Sequence, residues 1–283
     1  MLAYFPSYKI TARLISFLSP LVIFFLVFLI TGYNVLTSGI IGGVAYLVLM
    51  LVLLYVTGVI CARRADKKSD ALVALYNQQC DPGAFVEQGA RVGKTAWEDV
   101  KINGTTDVAA WFLSPFALAC LDADAEHGEA DAEMMEREML ENIPEDAPAI
   151  DRAGILSYIE PLTLRLHGID AALKMCCEAA NILERENTDD AKNKMRYLQF
   201  EIPYLETLKR GNASEMLQKY EEVWQSSSVA RRMRVLNAEA AAGIYGVAGE
   251  RNKQVQALQF VTDHGNRLPS VTNAKRMLAT LGG

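Results

Sequence analysis

The chain has 283 residues, with 28 Lys plus Arg against 34 Asp plus Glu and a formal net charge of −6. The charge is unevenly spread: residues 1–68 carry six basic and one acidic side chain, whereas 69–283 carry 22 basic and 33 acidic ones. So acidic a segment excludes a nucleic-acid interface, which needs Lys and Arg to neutralise phosphates, and three scattered His and five Cys without a CxxC pair exclude a zinc framework.

In chain order, Leu14 to Thr31 (LISFLSPLVIFFLVFLIT) and Gly39 to Cys61 (GIIGGVAYLVLMLVLLYVTGVIC) contain no charged side chain. About 20 apolar residues at 1.5 Å rise cross a hydrocarbon core of roughly 30 Å. These runs predict a transmembrane hairpin over 14–61, with spans at 14–31 and 39–61 and the lipid bilayer as a partner. Lys9 and Arg13 precede the first run, Arg63, Arg64, Lys67 and Lys68 follow the second, and no basic residue lies between them. The positive-inside rule then predicts a cytoplasmic segment over 1–13, a basic juxtamembrane linker over 62–68, and both termini on the cytoplasmic side of a bacterial plasma membrane. Neither run holds an ionisable group, which favours an anchor over a transport path.

From residue 69 onward no sustained period-two alternation occurs, and apolar residues recur at threes and fours, so 69–283 is expected to be an all-α cytosolic domain. Asp81-Pro82 supplies an N-cap and a first-turn proline, Gly104-Thr105-Thr106-Asp107 breaks and restarts a helix, and Gly168, Gly211 and Gly249 end others. A repeat is also visible: FLSPFALACL (112–121), YIEPLTLRLH (158–167) and FEIPYLETLK (200–209) share an aromatic, two residues, Pro and a bulky apolar residue. Leu follows the proline by three places in the first two and by two in the third; the prolines lie 46 and 42 residues apart, and Gly243 takes the corresponding place further on. Partner helices are expected at Gly83 to Trp97, Glu129 to Asn142, Ile169 to Glu186 and Ala213 to Trp224, with Arg251 to His264 and Val271 to Leu281 as a closing pair. Hairpins of this period stack into an α-solenoid.

GNASEMLQKYEEVW (211–224) and AALKMCCEAANIL (171–183) give the arrangement its identity. Gly211 and Tyr220 occupy glycine and aromatic places, and Ala172 and Ala179 small packing places, so that the domain resembles a degenerate tetratricopeptide-repeat array. It departs from that family in its longer period, against about 34 residues, and in lacking a repeated Trp-Leu-Gly signature. The resemblance implies an extended groove that binds a protein partner.

Three local motifs raise other chemistries. EQGARVGKTAW (87–97) ends like a phosphate-binding loop, but GxxxGKT is one residue short and no strand precedes it. Val86, Ala90, Gly93 and Trp97 instead share a helix face. Asp122, Asp124, Glu126 and Glu133 match calcium-loop positions, yet His127 stands where the sharp turn needs glycine, which favours a solvated acidic loop. Met135, Met139 and Ile143 form a stripe that is either helix core or an adaptable surface, rimmed by acid, for a basic or amphipathic segment. No Ser-His-Asp or Cys-His set can be assembled, so no catalytic, cofactor-binding or metal-binding residue is assigned and no cofactor is expected. The expected function is a membrane-anchored cytosolic scaffold that recruits a protein partner; the alternative is an accessory subunit of a transporter or other membrane complex.

Overall fold

A computed structural model describes residues 4, 5, 10, 11, 13–15, 18, 21, 22, 25, 35–123 and 128–282, the side chains of 35–46, 49 and 50 excepted. The chain divides into two compact units, Met1–Ala71 and Leu72–Gly283. Among the described residues the structure is helical, with no strand.

The first unit corrects the membrane expectation. Much of the 14–31 run lies outside the described residues, and 39–61 falls in one helix, α1 (Val35–Asn77), which continues through 62–68 without a linker. Among the described residues no helix is long and apolar enough to cross a membrane, which counts against an integral membrane protein with two cytoplasmic termini. The expectation rested on absence of charge.

The second unit begins in the last turns of α1 and continues with α2 (Pro82–Asn103), α3 (Asp107–Asp122), α4 (Gly128–Glu141), α5 (Ala149–His167) and α6 (Ile169–Leu183). After these come α7 (Asp189–Arg210), α8 (Ala213–Gln225), α9 (Arg231–Val247), α10 (Arg251–His264) and α11 (Pro269–Gly282). Local chemistry sets the ends. The Asp81 carboxylate accepts from Ala84 N at 3.0 Å ahead of Pro82, and Thr106 and Thr188 accept from Ala109 N and Ala191 N, each at 3.1 Å. Such caps satisfy first-turn amides that have no intrahelical partner. Gly211 ends α7 with φ of 67°, a left-handed conformation that a side chain would strain.

From α2 onward consecutive helices pack as hairpins, and in addition α3 packs on α5 and α5 on α7, so that the proline-bearing helices form an inner row. α9 pairs with α8 and α10. The core begins with Tyr76, Phe85, Phe112 and Phe116, where Phe85 meets both other phenylalanines edge-on at 5.6 Å between centroids. Gly89 and Gly93 of the GKT stretch lie buried in α2, and a Cβ at Gly93 would come within 3.0 Å of the Phe116 ring. Their absent side chains admit that ring, while the Lys94 side chain is exposed. Ala172, Cys176, Ala179 and Leu183 form the buried stripe of α6, packed with Leu198 and Leu205 of α7.

The turn after α10 returns to the start of the unit: Asn266 Nδ2 donates to Gln79 O at 2.9 Å, Arg267 N to Cys80 O at 3.1 Å, and the Arg267 guanidinium lies 3.3 Å from Asp81. Asp122, first of the calcium-like positions, accepts from Tyr76 Oη at 2.6 Å and faces Arg232 Nε at 3.6 Å. Glu133 is exposed on α4, and Asp124, Glu126 and His127 lie outside the described residues. Met135 and Met139 are buried, which makes their stripe helix core.

Candidate functional site

The inner helices line an open-sided cavity of about 1080 Å³. Each presents one helical stripe to it. Trp111, Ser114, Pro115 and Leu118 come from α3; Tyr158, Glu160, Pro161 and Leu164 from α5; Tyr197, Phe200, Glu201 and Tyr204 from α7; and Met233, Leu236, Asn237 and Ala240 from α9. Spacing of three and four residues puts each set on one side of its helix. Pro115 and Pro161 thus sit on the cavity wall, where a proline also leaves the carbonyl four residues earlier without its helical donor.

Every inner helix buries a polar side chain in this wall: Ser114, Glu160, Glu201 and Asn237. Ser114, Glu160 and Glu201 stand four places before Leu118, Leu164 and Leu205, so that aligning on leucine puts them at one position of the repeat. The third motif is shifted by one residue relative to its proline, which explains why Pro203 leaves the wall that Pro115 and Pro161 line. Aromatic rings cover much of the remaining surface. Phe200 stacks on Tyr204 at 6.2 Å and Tyr204 meets Tyr220 edge-on at 6.4 Å. Tyr158, Tyr197 and Phe200 are the exposed aromatics of this wall.

The electrostatics centre on the two glutamates. Glu160 is 1% exposed; its Oε2 accepts from Tyr197 Oη at 3.1 Å, and its Oε1 has no hydrogen-bond partner. Burial pushes the Glu160 carboxyl well above the usual carboxylate range, and repulsion from Glu201 pushes it further. Burial likewise raises Glu201. Behind them the Cys176 thiol is shifted upward, first by burial and then by both glutamates.

Of the cations that line the cavity, Lys194 and Arg232 are engaged with Asp side chains, and Arg165 pairs with neither glutamate. Lys194 lies 3.3 Å from Asp190, 3.9 Å from Asp107 and 3.4 Å from Ile150 O, and Arg232 faces Asp122. Among the described residues no Lys, Arg or His pairs with Glu160 or Glu201, and no cation contributes to the shift of either. The arrangement can therefore hold a positive charge from outside the chain. A metal ion is the poorer fit, because no group of three or more His, Cys, Asp or Glu with metal-binding geometry occurs among the described residues.

Both carboxylates stand inside the repeat motifs, as YIEP and FEIP, where no role for them follows from local spacing. The signal was there: a charged residue within an otherwise apolar frame, in two successive repeats. No protein-family model, curated protein or solved structure matches the chain.

Proposed function

We propose that residues 72–283 form a protein-interaction module, a tetratricopeptide-like array that recruits a partner by taking a segment of it into the cavity of the inner helices. The supporting observation is that cavity: four successive repeats each direct a stripe of aromatic, apolar and polar side chains into one space of about 1080 Å³. Concave sites lined chiefly by apolar and aromatic groups, with few convergent polar ones, are binding sites by preference. Repeat arrays build them because each hairpin leaves one face for its neighbours and one for a guest. A chain segment suits the space better than a bulky fold, since the inner helices surround it on several sides.

The test uses the full chain in its native cell, with a photoreactive benzoylphenylalanine at Phe200 on the cavity wall or, as control, at Val247, which is 93% exposed. The expected result is one partner peptide joined at position 200 and absent at 247. Identical adducts at both positions, or none at 200, would overturn the reading.

A further inference from the structure

We propose that the cavity holds an organic cation, an alkylammonium whose charged head settles against Glu160 and Glu201 and whose hydrocarbon lies along the aromatic face of α7. Under the reading above the cation is a lysine side chain on the partner segment, and only this source rests on that reading.

Three independent features converge on a cation. Two carboxyl groups from successive repeats lie buried in one wall with no basic partner, and Glu160 Oε1 has no donor. A buried carboxyl oxygen without a partner costs stability unless a donor is supplied to it. The wall beside the pair is aromatic, from Tyr197 through Phe200 to Tyr204 and Tyr220. Aromatic faces attract a cation through their quadrupole while accepting its methylene groups. The chain's own Lys194 and Arg232 are engaged at Asp190, Asp107 and Asp122, and Arg165, which lines the same cavity, pairs with neither carboxyl.

Binding is then linked to pH. An arriving ammonium favours the ionised carboxylates, so the pair releases its held proton as the cation binds, and affinity rises with pH. The titratable groups that interact with the pair are Tyr197 and Tyr204 on α7 and Cys176 on α6; Tyr158, Tyr220, Lys194, Asp190, Arg165 and Arg232 line the same cavity. The phenols and the thiol are all shifted upward, and loss of the pH dependence in Glu160→Gln/Glu201→Gln separates the carboxyl pair from Asp190.

Calorimetric titration of the full chain with hexylammonium and with its neutral counterpart hexan-1-ol tests the proposal. Hexylammonium is expected to bind at least about tenfold tighter at pH 8, a preference that shrinks at pH 5. In Glu160→Gln/Glu201→Gln the preference disappears while hexan-1-ol binding persists; circular dichroism verifies that the variant is folded, and the pH dependence of the unsubstituted chain reads the same linkage without substitution. Equal affinity for the two probes, including no measurable binding of either, overturns the proposal, as does a preference that survives both substitutions. A crosslink at Phe200 without ammonium preference overturns the cation and leaves the segment reading; an ammonium preference without a crosslink supports the cation and overturns the segment.

Discussion

Two buried carboxyl sites lie on different sides of α5, and they are built to opposite ends. On the side facing α4, Glu136 is 2% exposed and both its oxygens are engaged: Thr163 donates to Oε1, and His167 Nε2 lies 2.6 Å from Oε2. On the cavity side, Glu160 is equally buried, but one oxygen has only the Tyr197 phenol and the other has nothing, while Glu201 repels it. The two differ in partners alone. Burial by itself therefore says nothing about role: a fully engaged carboxylate ties two helices together, whereas a half-engaged one keeps capacity for something the chain does not supply.

The strongest way to break this comparison is to remove the engaged group. Glu136→Ala leaves Thr163 and His167 without their acceptor and opens space between α4 and α5, and is expected to cost about 2–3 kcal/mol in denaturant unfolding. A loss below about 1 kcal/mol would mean that the site is as dispensable as a surface pair.

The cavity pair should respond in the opposite direction. A raised carboxyl means that the folded chain keeps its protons to higher pH than the unfolded chain does. Stability from this source is thus complete at low pH, and it falls as pH rises from the ordinary carboxylate range through the raised native range. Glu160→Gln/Glu201→Gln removes the ionisation while retaining the shape. It is expected to raise stability by about 1–2 kcal/mol at pH 8 and to change it little at pH 4. Unfolding curves at the two pH values check the sign, and destabilisation at pH 8 would place the pair with Glu136 as a structural device.

How much of this was legible follows from the range of the interactions. The Asp81-Pro82 start, the Thr106 restart and the Gly211 stop were readable because a cap acts within three residues of itself. The packing of Gly89 and Gly93 followed from spacing along one helix, although the ring that fills the gap, Phe116, belongs to the next helix. Glu160 and Glu201 are 41 residues apart, and their meeting requires α5 and α7 to be neighbours. Alignment on proline hid their equivalence, because a shift of one residue turns a helix by about 100°. Asp122 fitted a local calcium spacing, but its partners are Tyr76 and Arg232, far away in the chain. The long apolar runs were read from missing charge; much of the first lies outside the described residues, and among the described residues no helix is long and apolar enough to cross a membrane.

The smallest expected effect sharpens the comparison most. Tyr197→Phe removes the phenol that donates to Glu160 Oε2 and leaves the ring on the cavity wall. That hydrogen bond favours the ionised carboxyl, so its loss pushes Glu160 still higher and steepens the fall of stability with pH. The cost should be about 1 kcal/mol at pH 8, shrinking towards low pH, where the carboxyl is protonated and needs the donor less. In a Glu160→Gln background the pH dependence of that cost should vanish, which a double-mutant cycle at the two pH values measures directly. A cost independent of pH in both backgrounds would show that the phenol serves packing around α7 and that the Glu160 oxygens are not held in wait for a charge.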